Sequence, residues 1–206
     1  MTIKNFIRKQ FGLPMIYDEA LQFVKKHCKG KGLEIGGAAH NEFPIDALNV
    51  DYIDHELENT EYAKAQLELA GKIKKVDIIA PGDNLPIEDS SVDFVFSSHV
   101  IEHFYNPLSA IREWQRVIKQ NGKIVMIIPS KDKTFDSDRD CTTITEFYEK
   151  DENFDKNKTY EDKHHSVWLL ETFKEFAKEF NLNLIASKNY PNDLRNSFIV
   201  VLKVTK

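Results

Sequence analysis

Short runs of consecutive apolar residues alternate along this chain with longer stretches in which apolar residues recur every three or four positions. The two longest runs, Ile124 to Ile128 and Phe198 to Leu202, contain five residues each. Continuous apolar runs of this length are typical of strands buried on both faces of a sheet, and the longer spacing is typical of helices that cover such a sheet. The alternation therefore predicts a parallel sheet with helices on both faces.

Glycine, proline and asparagine set the bounds of these elements. Gly30 ends the first helical stretch, Pro81-Gly82 follows a strand, and Asn106-Pro107 begins a helix that a stop signal at Asn121-Gly122 ends. The predicted helices cover 17–28, 58–70, 107–118 and 169–180. The predicted strands cover 32–36, 47–51, 75–79, 92–96, 123–128, 182–187 and 198–204. This order predicts the α/β class, with a doubly wound, Rossmann-like, seven-stranded sheet that we expect to be mostly parallel with an antiparallel last strand.

Length and charge narrow the classes of function. The 206 residues predict a single domain over 1–206, and 28 basic against 33 acidic side chains give a formal charge of −5, which argues against nucleic acid as a partner. The apolar runs are far shorter than the roughly 18 residues of a membrane span. The chain begins without a secretory signal pattern, and its two cysteines, Cys28 and Cys141, lie far apart. We therefore expect a cytoplasmic protein, and the oligomeric state stays open.

Two segments flank the predicted core. We expect residues 1–30 to form an N-terminal helical segment. Residues 131–168 are polar and charged, with few candidates for the core, and we expect them to form an insertion over the sheet edge. A loop of that length in a compact domain usually has a function.

The ends of the predicted strands carry the first signs of a binding site, because ligands of an open parallel sheet bind beyond the carboxyl ends of its strands. The first strand ends in Glu34-Ile35-Gly36-Gly37, whose small residues let a ligand approach the backbone. The second ends at Asp51, 15 residues beyond Gly36, where a carboxylate can accept hydrogen bonds from both ribose hydroxyls of a nucleotide-like cofactor. A tight strand-to-helix turn and a helix cap are the purely structural alternatives for these two features.

The most specific pattern follows the third predicted strand. Gly82-Asp83 precedes Leu85-Pro86, a Ser-x-Asp-x-Val strand comes next, and Glu102-His103 follows it. Together with the two strand ends and the segment from Arg116 to Gly122, this pattern resembles the class I S-adenosylmethionine-dependent methyltransferases, particularly the type 11 group. The resemblance covers residues 31–130 and implies S-adenosyl-L-methionine as the cofactor.

The resemblance also implies roles for individual residues. Glu34, Gly36 and Gly37 would hold the methionine end of the cofactor. Asp51 would bind its ribose, with Tyr52 beside it as a further cofactor-binding residue.

Further along the chain, the same resemblance implies that Asp83 and the backbone near Asn84 face the adenine. Ser98 and His99 would close the pocket near the methyl group.

The segment 131–168 contains Phe135-Asp136-x-Asp138-Arg139 and His164-His165-x-x-Trp168. It looks like the corresponding region of predicted methyltransferases associated with bacterial surface-polysaccharide genes. This second resemblance implies an acceptor pocket on the insertion and O-methylation of a small-molecule or sugar acceptor. Because a sugar hydroxyl has a high pKa, the reaction needs a general base, and His99, His164, His165 and Asp136 are the candidates.

Residues 99–103 also match the His-x-x-Glu-His pattern of a zinc peptidase. Such a site needs a sustained helix, whereas Asn106-Pro107 begins a new helix three residues later. The adjacent side chains of His164 and His165 diverge, which makes them poor partners for one ion. We therefore expect no metal.

Two other functions share parts of the pattern. A nicotinamide-dependent oxidoreductase has the same kind of sheet and an acid after the second strand, but the chain lacks the Gly-x-Gly-x-x-Gly series. A cofactor-binding but inactive partner subunit is suggested by the glycine loop, where Ala38 and His40 stand in place of the second and third glycines of Gly-x-Gly-x-Gly.

Overall fold

The computed structural model describes residues 18–153, 163–190, 194 and 196–206. Seven strands form one sheet in this part of the chain: β1 (Gly32–Ile35), β2 (Ala47–Asp51), β3 (Ile78–Ile79), β4 (Val92–Ser98), β5 (Ile118–Pro129), β6 (Leu184–Asn189) and β7 (Ser197–Lys203). Their order across the sheet is β3-β2-β1-β4-β5-β7-β6. The predicted α/β class and the predicted number of strands are confirmed.

Strand direction follows the prediction as well. The pairs that join β1 to β2 and β4, β2 to β3, and β4 to β5 are parallel. Strand β7 is antiparallel to both of its neighbours, β5 and β6, with Val200 opposite Met126 on one side and Ser187 on the other. The chain leaves β1 towards one edge and returns to β4 on the other side of β1, so a crevice opens at the carboxyl ends of these two strands.

Within the described ranges, five α-helices accompany the sheet: α1 (Asp18–His27), α2 (Glu61–Ala70), α3 (Pro107–Val117), α4 (Ile144–Glu152) and α5 (Leu170–Glu179). Local chemistry explains where they begin. The side chain of Asn106 accepts hydrogen bonds from the backbone N–H groups of Leu108 and Ser109, as predicted for a helix start at Asn106-Pro107. Thr143 and Glu146 form a reciprocal capping box at the start of α4.

The region after α3 differs from the prediction. The helix ends at Val117 and the chain enters β5 at Ile118, so that Asn121-Gly122 lies inside a strand. The register between β4 and β5 shifts at this point, and Asn121 has a φ of 68°. The two residues therefore form an irregularity within the strand, where they exchange backbone hydrogen bonds with Val204.

Apolar residues of the strands alternate between two clusters on opposite faces of the sheet. In β4, Val95 joins the cluster that contains α3 and α5, whereas Phe94 and Phe96 join the cluster that contains Ala20 and Val24 of α1. Burial on both faces explains the continuous apolar runs in the sequence.

Although the insertion is polar in composition, two of its aromatic side chains are buried in the core. Phe147 of α4 and Trp168 are fully buried, and their rings stack with centroids 4.8 Å apart. Both rings also contact Phe176 of α5. The insertion was expected to contribute few core residues, and these two aromatic side chains extend the same core as α3 and α5.

Parts of two predicted segments, residues 1–17 of the N-terminal helical segment and 154–162 of the insertion, lie outside the described residues. The same holds for 191–193 in the predicted final turn. None of the helices in the described ranges is both long and apolar enough to cross a bilayer.

Candidate functional site

A cavity of about 350 Å³ opens at the carboxyl ends of β1, β2 and β4. Its volume lies within the roughly 300–1,000 Å³ that small-molecule sites occupy. Its position is the crevice where the strand order reverses. The wall is formed by Ile35, Gly36, Val50, Asp51, Tyr52, His55, Thr60, Glu61, Tyr62, Gly82, His99, Val100, His103 and Phe104.

Two glycines of this wall stand where a side chain has no room. Gly36 has a φ of +66°, and a Cβ there would lie 2.7 Å from a methyl group of Val100. A Cβ at Gly82 would lie 2.8 Å from both Ile35 and Phe104. Neighbouring side chains therefore fill the space that a Cβ would take, so both positions of the wall require glycine.

Asp51, the last residue of β2, has a carboxylate that is fixed on two sides. One oxygen accepts a hydrogen bond from the backbone N–H of Tyr52 at 2.8 Å, and the other lies 3.1 Å from Nε2 of His55. Nδ1 of His55 lies 2.9 Å from the hydroxyl of Thr60. The side chain of Tyr52 is 52% exposed at the cavity. Carboxylate lone pairs that these bonds leave open can accept hydrogen bonds from a ligand.

Glu34 and Gly37 lie next to the cavity wall rather than in it. The buried carboxylate of Glu34 forms an ion pair with Lys74 at 2.5 Å. Burial raises the pKa of Glu34, and the charge of Lys74 acts in the opposite direction. The N–H of Gly37 donates to the side-chain oxygen of Asn49 at 3.0 Å. Both residues brace the turn that carries Gly36.

The loop after Gly37 forms a compact turn although Ala38 and His40 replace two of the expected glycines. Residues Ala39–Asn41 form a 3-10 turn, and the N–H of Ala39 donates to the buried side chain of Gln66 at 2.8 Å. His40 is half-buried, and its ring meets the edge of Tyr62 with centroids 5.9 Å apart. The larger side chain is thus accommodated against the cavity wall.

Asp83, Asn84 and Ser98 were also predicted to bind the cofactor, and they do not belong to the cavity wall. Gly82 does, and its carbonyl accepts a hydrogen bond from the indole N–H of Trp114 at 2.7 Å. This bond anchors the loop that carries Asp83 and Asn84 to the buried face of α3.

His99 follows β4 at the cavity wall with a φ of +56°. Its Nε2 lies 2.8 Å from the hydroxyl of Ser197, and its Nδ1 lies 4.0 Å from a carboxylate oxygen of Glu102. Burial and the nearby His164 and His103 lower the pKa of His99 to about 4. The ring is therefore neutral near pH 7.

Glu102 is completely buried, and neither of its carboxylate oxygens has a hydrogen-bond partner among the described residues. Burial raises its pKa to about 8. Ring nitrogens of His103 and His164 each lie 3.9 Å from its Oε1. The segment around Glu102 is a single 3-10 turn, Ile101–His103, and not the sustained helix of a zinc peptidase.

The candidate bases of the insertion divide into two groups. Nδ1 of His164 lies 2.6 Å from the buried carboxylate of Asp136, whose other oxygen accepts a hydrogen bond from Arg139 at 2.5 Å. His165 points elsewhere, and its ring meets Tyr105 with centroids 5.7 Å apart. The backbone N–H of His165 donates to the carbonyl of Glu102 at 2.7 Å, which ties the insertion to the cavity.

The structure thus brings four of the predicted residues to the cavity wall: Gly36, Asp51, Tyr52 and His99. It adds wall residues that sequence reasoning missed: His55, Tyr62 and His103. The signal for His103 was present in the Glu-His pair of the motif. No motif in the neighbouring sequence indicated that His55 or Tyr62 would line the cavity.

Comparison with known proteins gives a consistent result. The chain matches a family described as "Methyltransferase domain" over residues 19–126. It is 34% identical over 121 residues to an uncharacterised protein of Methanocaldococcus jannaschii, which covers 57% of this chain and 54% of that protein. It is 29% identical over 131 residues to a sarcosine/dimethylglycine N-methyltransferase of Aphanothece halophytica, covering 55% of this chain and 46% of the enzyme. The chain spans about half the length of the curated relatives it matches.

Solved structures share the whole fold. A protein of Thermotoga maritima described as a SAM-dependent methyltransferase and possible histamine N-methyltransferase has a TM-score of 0.56 at 19% identity, covering 99% of this chain and 96% of that one. A SAM-dependent methyltransferase of Aquifex aeolicus has a TM-score of 0.56 at 15% identity, covering 99% and 100%. At these identities the likeness concerns the fold alone.

Proposed function

The chain belongs to the methyltransferase domain family, and from that premise we propose that it transfers a methyl group from S-adenosylmethionine to a hydroxyl of a small-molecule or sugar acceptor. The observation that carries the proposal is the cavity at the carboxyl ends of β1, β2 and β4, with the fixed carboxylate of Asp51 in its wall. When bound, S-adenosylmethionine supplies an electrophilic sulfonium methyl group.

The wall of the cavity fits an adenosine-bearing ligand. Gly36 and Gly82 present backbone without side chains in the wall, and the carboxylate of Asp51 has lone pairs for the two ribose hydroxyls. We assign Tyr52 to the same part of the cofactor, because its exposed ring lies beside Asp51 at the wall.

The remaining cofactor residues have supporting roles in this proposal. Glu34 and Gly37 keep the turn at Gly36 in shape for the methionine end. Asp83 and Asn84 flank the adenine from the loop that Trp114 anchors.

The acceptor is bound on the side of His99, with Ser98 next to it at the end of β4. Methyl transfer to a hydroxyl requires a group that accepts its proton. Of the four candidate bases, His99 is the one in the cavity wall, so we assign it that role. Asp136 and His164 form a hydrogen-bonded pair outside the cavity wall. The backbone N–H of His165 holds the insertion against the turn that contains Glu102.

The support for a sugar acceptor, and for cytoplasmic surface-glycan biosynthesis as the setting, is the resemblance of the insertion to that group of predicted methyltransferases. A nicotinamide-dependent oxidoreductase is disfavoured by the family to which the chain belongs. An inactive, cofactor-binding subunit would share the cavity and differ in turnover.

Two measurements test the proposal. Calorimetric titration of the purified chain with S-adenosylmethionine and with S-adenosylhomocysteine should give one site per chain. Incubation with methyl-labelled cofactor and a panel of sugar and amine acceptors should then label a sugar hydroxyl. Absence of binding at millimolar concentrations overturns the cofactor assignment, and labelling of amines alone overturns the O-methylation. Binding without any labelling favours the inactive subunit.

A further inference from the structure

A buried carboxylate faces three imidazole rings next to the cavity. Oε1 of Glu102 lies 3.9 Å from Nε2 of His103, 3.9 Å from Nε2 of His164 and 4.0 Å from Nδ1 of His99. These distances are too long for hydrogen bonds. The carboxylate of Glu102 is completely removed from water and has no hydrogen bond within the part of the chain that the structure describes. Such a group is costly, and proteins pair buried charges or use them to bind metals.

We propose that Glu102, His103 and His164 bind a divalent transition-metal cation. One ligand atom from each of these residues lies within 4.8 Å of the other two. Two ligands bonded at about 2.1 Å are roughly 3.4 Å apart around a tetrahedral ion and about 4.2 Å apart when they face each other across it. The observed separations therefore need only small side-chain movements to close around an ion.

The surroundings of His164 favour the same role. Its Nδ1 is 2.6 Å from the carboxylate of Asp136. This contact orients the ring so that Nε2 faces Glu102. A histidine that binds a metal through one nitrogen commonly donates from the other nitrogen to a carboxylate, which fixes the ring. Arg139 holds this arrangement by donating to Asp136 at 2.5 Å and to the carbonyl of His164 at 3.0 Å.

The backbone joins the two segments that supply the ligands. The carbonyl of Glu102 accepts hydrogen bonds from the N–H groups of His165 at 2.7 Å and Ser166 at 3.2 Å. The site is thus held together by the fold before an ion enters, which lowers the cost of ordering the ligands on binding.

The mixture of two imidazoles and one carboxylate selects the class of ion. Imidazole suits zinc, iron and related metals, whereas magnesium and calcium prefer oxygen ligands. Three protein ligands leave at least one coordination position open. Since His103 also lines the cavity, the proposed site borders the acceptor side. Its use there, to bind an acceptor oxygen and favour loss of its proton, rests on the proposed function.

The test is calorimetric titration of the chelator-treated full chain with Zn²⁺, Mn²⁺ and Mg²⁺, together with the metal content of the protein as purified. We expect about one Zn²⁺ per chain, weaker binding of Mn²⁺, and the weakest binding of Mg²⁺. His103→Asn and Glu102→Gln should each weaken Zn²⁺ binding at least tenfold. His40→Asn, which changes a half-buried imidazole outside the cluster, should leave it unchanged.

Zn²⁺ binding that is equally tight in His103→Asn, or that is no tighter than millimolar in the wild type, overturns the inference. If Glu102→Gln fails to fold, the result rests on His103→Asn, whose side chain is 34% exposed. The same samples are titrated with S-adenosylhomocysteine. Cofactor binding without Zn²⁺ binding contradicts the metal site alone, and Zn²⁺ binding without cofactor binding contradicts the proposed function alone.

Discussion

The carboxylate of Asp51 and the imidazole of His55 lie 3.1 Å apart, and both side chains are buried at the end of β2. This contact holds the carboxylate in one position at the cavity wall. Asp51→Ala should therefore weaken binding of S-adenosylhomocysteine by roughly 10- to 100-fold, because a hydrogen bond to a charged group contributes about 1.5–3 kcal/mol. Calorimetry of the variant measures the change directly.

Leu57→Ala is the control for Asp51→Ala, since Leu57 is 80% exposed and outside the cavity wall. It should bind like the wild type. If Asp51→Ala binds S-adenosylhomocysteine as tightly as the wild type, Asp51 does not bind the ribose.

Gly36 and Gly71 have nearly the same backbone conformation, with φ values of +66° and +69°, but different surroundings. A Cβ at Gly36 meets Val100 at 2.7 Å, whereas one at Gly71 meets nothing within 4 Å. Gly71→Ala should lower the free energy of unfolding by about 1–2 kcal/mol, which is the cost of the left-handed conformation. Gly36→Ala should cost more than that and also weaken cofactor binding.

Denaturant unfolding of the two glycine variants measures the difference. Val100→Ala in the Gly36→Ala background should recover part of the loss by removing the methyl group that clashes. Equal destabilisation at both glycines would contradict the crowding that the distances indicate.

The sequence predicted the part of the site whose signal is local. Asp51 stands where an apolar strand ends, and Gly36 interrupts the first strand, so the period of the pattern alone marked both as strand-end residues. The cluster around Glu102 needed the fold, because Glu102 and His164 are far apart in the chain and meet only when the insertion folds back. A segment that is polar in composition gives no indication of such a contact.

The helix bounds and the insertion show the same contrast between signals that are local in sequence and contacts that depend on the fold. Asn106-Pro107 was recognisable as a helix start because capping chemistry involves neighbouring residues. Burial of Phe147 and Trp168 was not, because it depends on stacking against Phe176 in another helix. Tertiary packing thus decided what composition left open.

His27 makes stability depend on pH. Its ring is buried at the end of α1, neither ring nitrogen has a hydrogen bond within the described residues, and burial, with Lys123 and Lys26 nearby, lowers its pKa. In the unfolded chain the ring takes up a proton below about pH 6.5. The neutral ring therefore contributes stability above that pH, and the contribution is lost as the pH falls towards the lower pKa of the folded state.

His27→Leu should be less sensitive to acid than the wild type between pH 6.5 and 5. Denaturant unfolding at several pH values gives the slope for each protein. Identical slopes would show that His27 binds a proton equally well in both states.

Trp114 and Trp168 offer a matched pair for testing how the cavity loop is held. Both are fully buried, and their indole N–H groups donate to the carbonyl of Gly82 at 2.7 Å and to the hydroxyl of Ser166 at 2.9 Å. Replacement by phenylalanine removes one buried hydrogen bond in each case and should cost about 1–3 kcal/mol. Only Trp114→Phe should also weaken binding of S-adenosylhomocysteine. If both variants bind S-adenosylhomocysteine with the same affinity, the loop that contains Gly82 does not contribute to cofactor binding.

His99 is the assigned base, and its variants should separate turnover from binding. His99→Asn removes the nitrogen that accepts the proton and should lower kcat by about 100-fold or more, while the affinity for S-adenosylhomocysteine changes little. Ser197→Ala removes the hydroxyl 2.8 Å from Nε2 of His99 and should lower kcat by a smaller factor, because the ring loses its orientation but keeps its chemistry. His165→Asn should have a weaker effect on kcat than His99→Asn, since His165 is not part of the cavity wall. Single-turnover kinetics with labelled cofactor measures all three, and full activity of His99→Asn would transfer the role of base to another group.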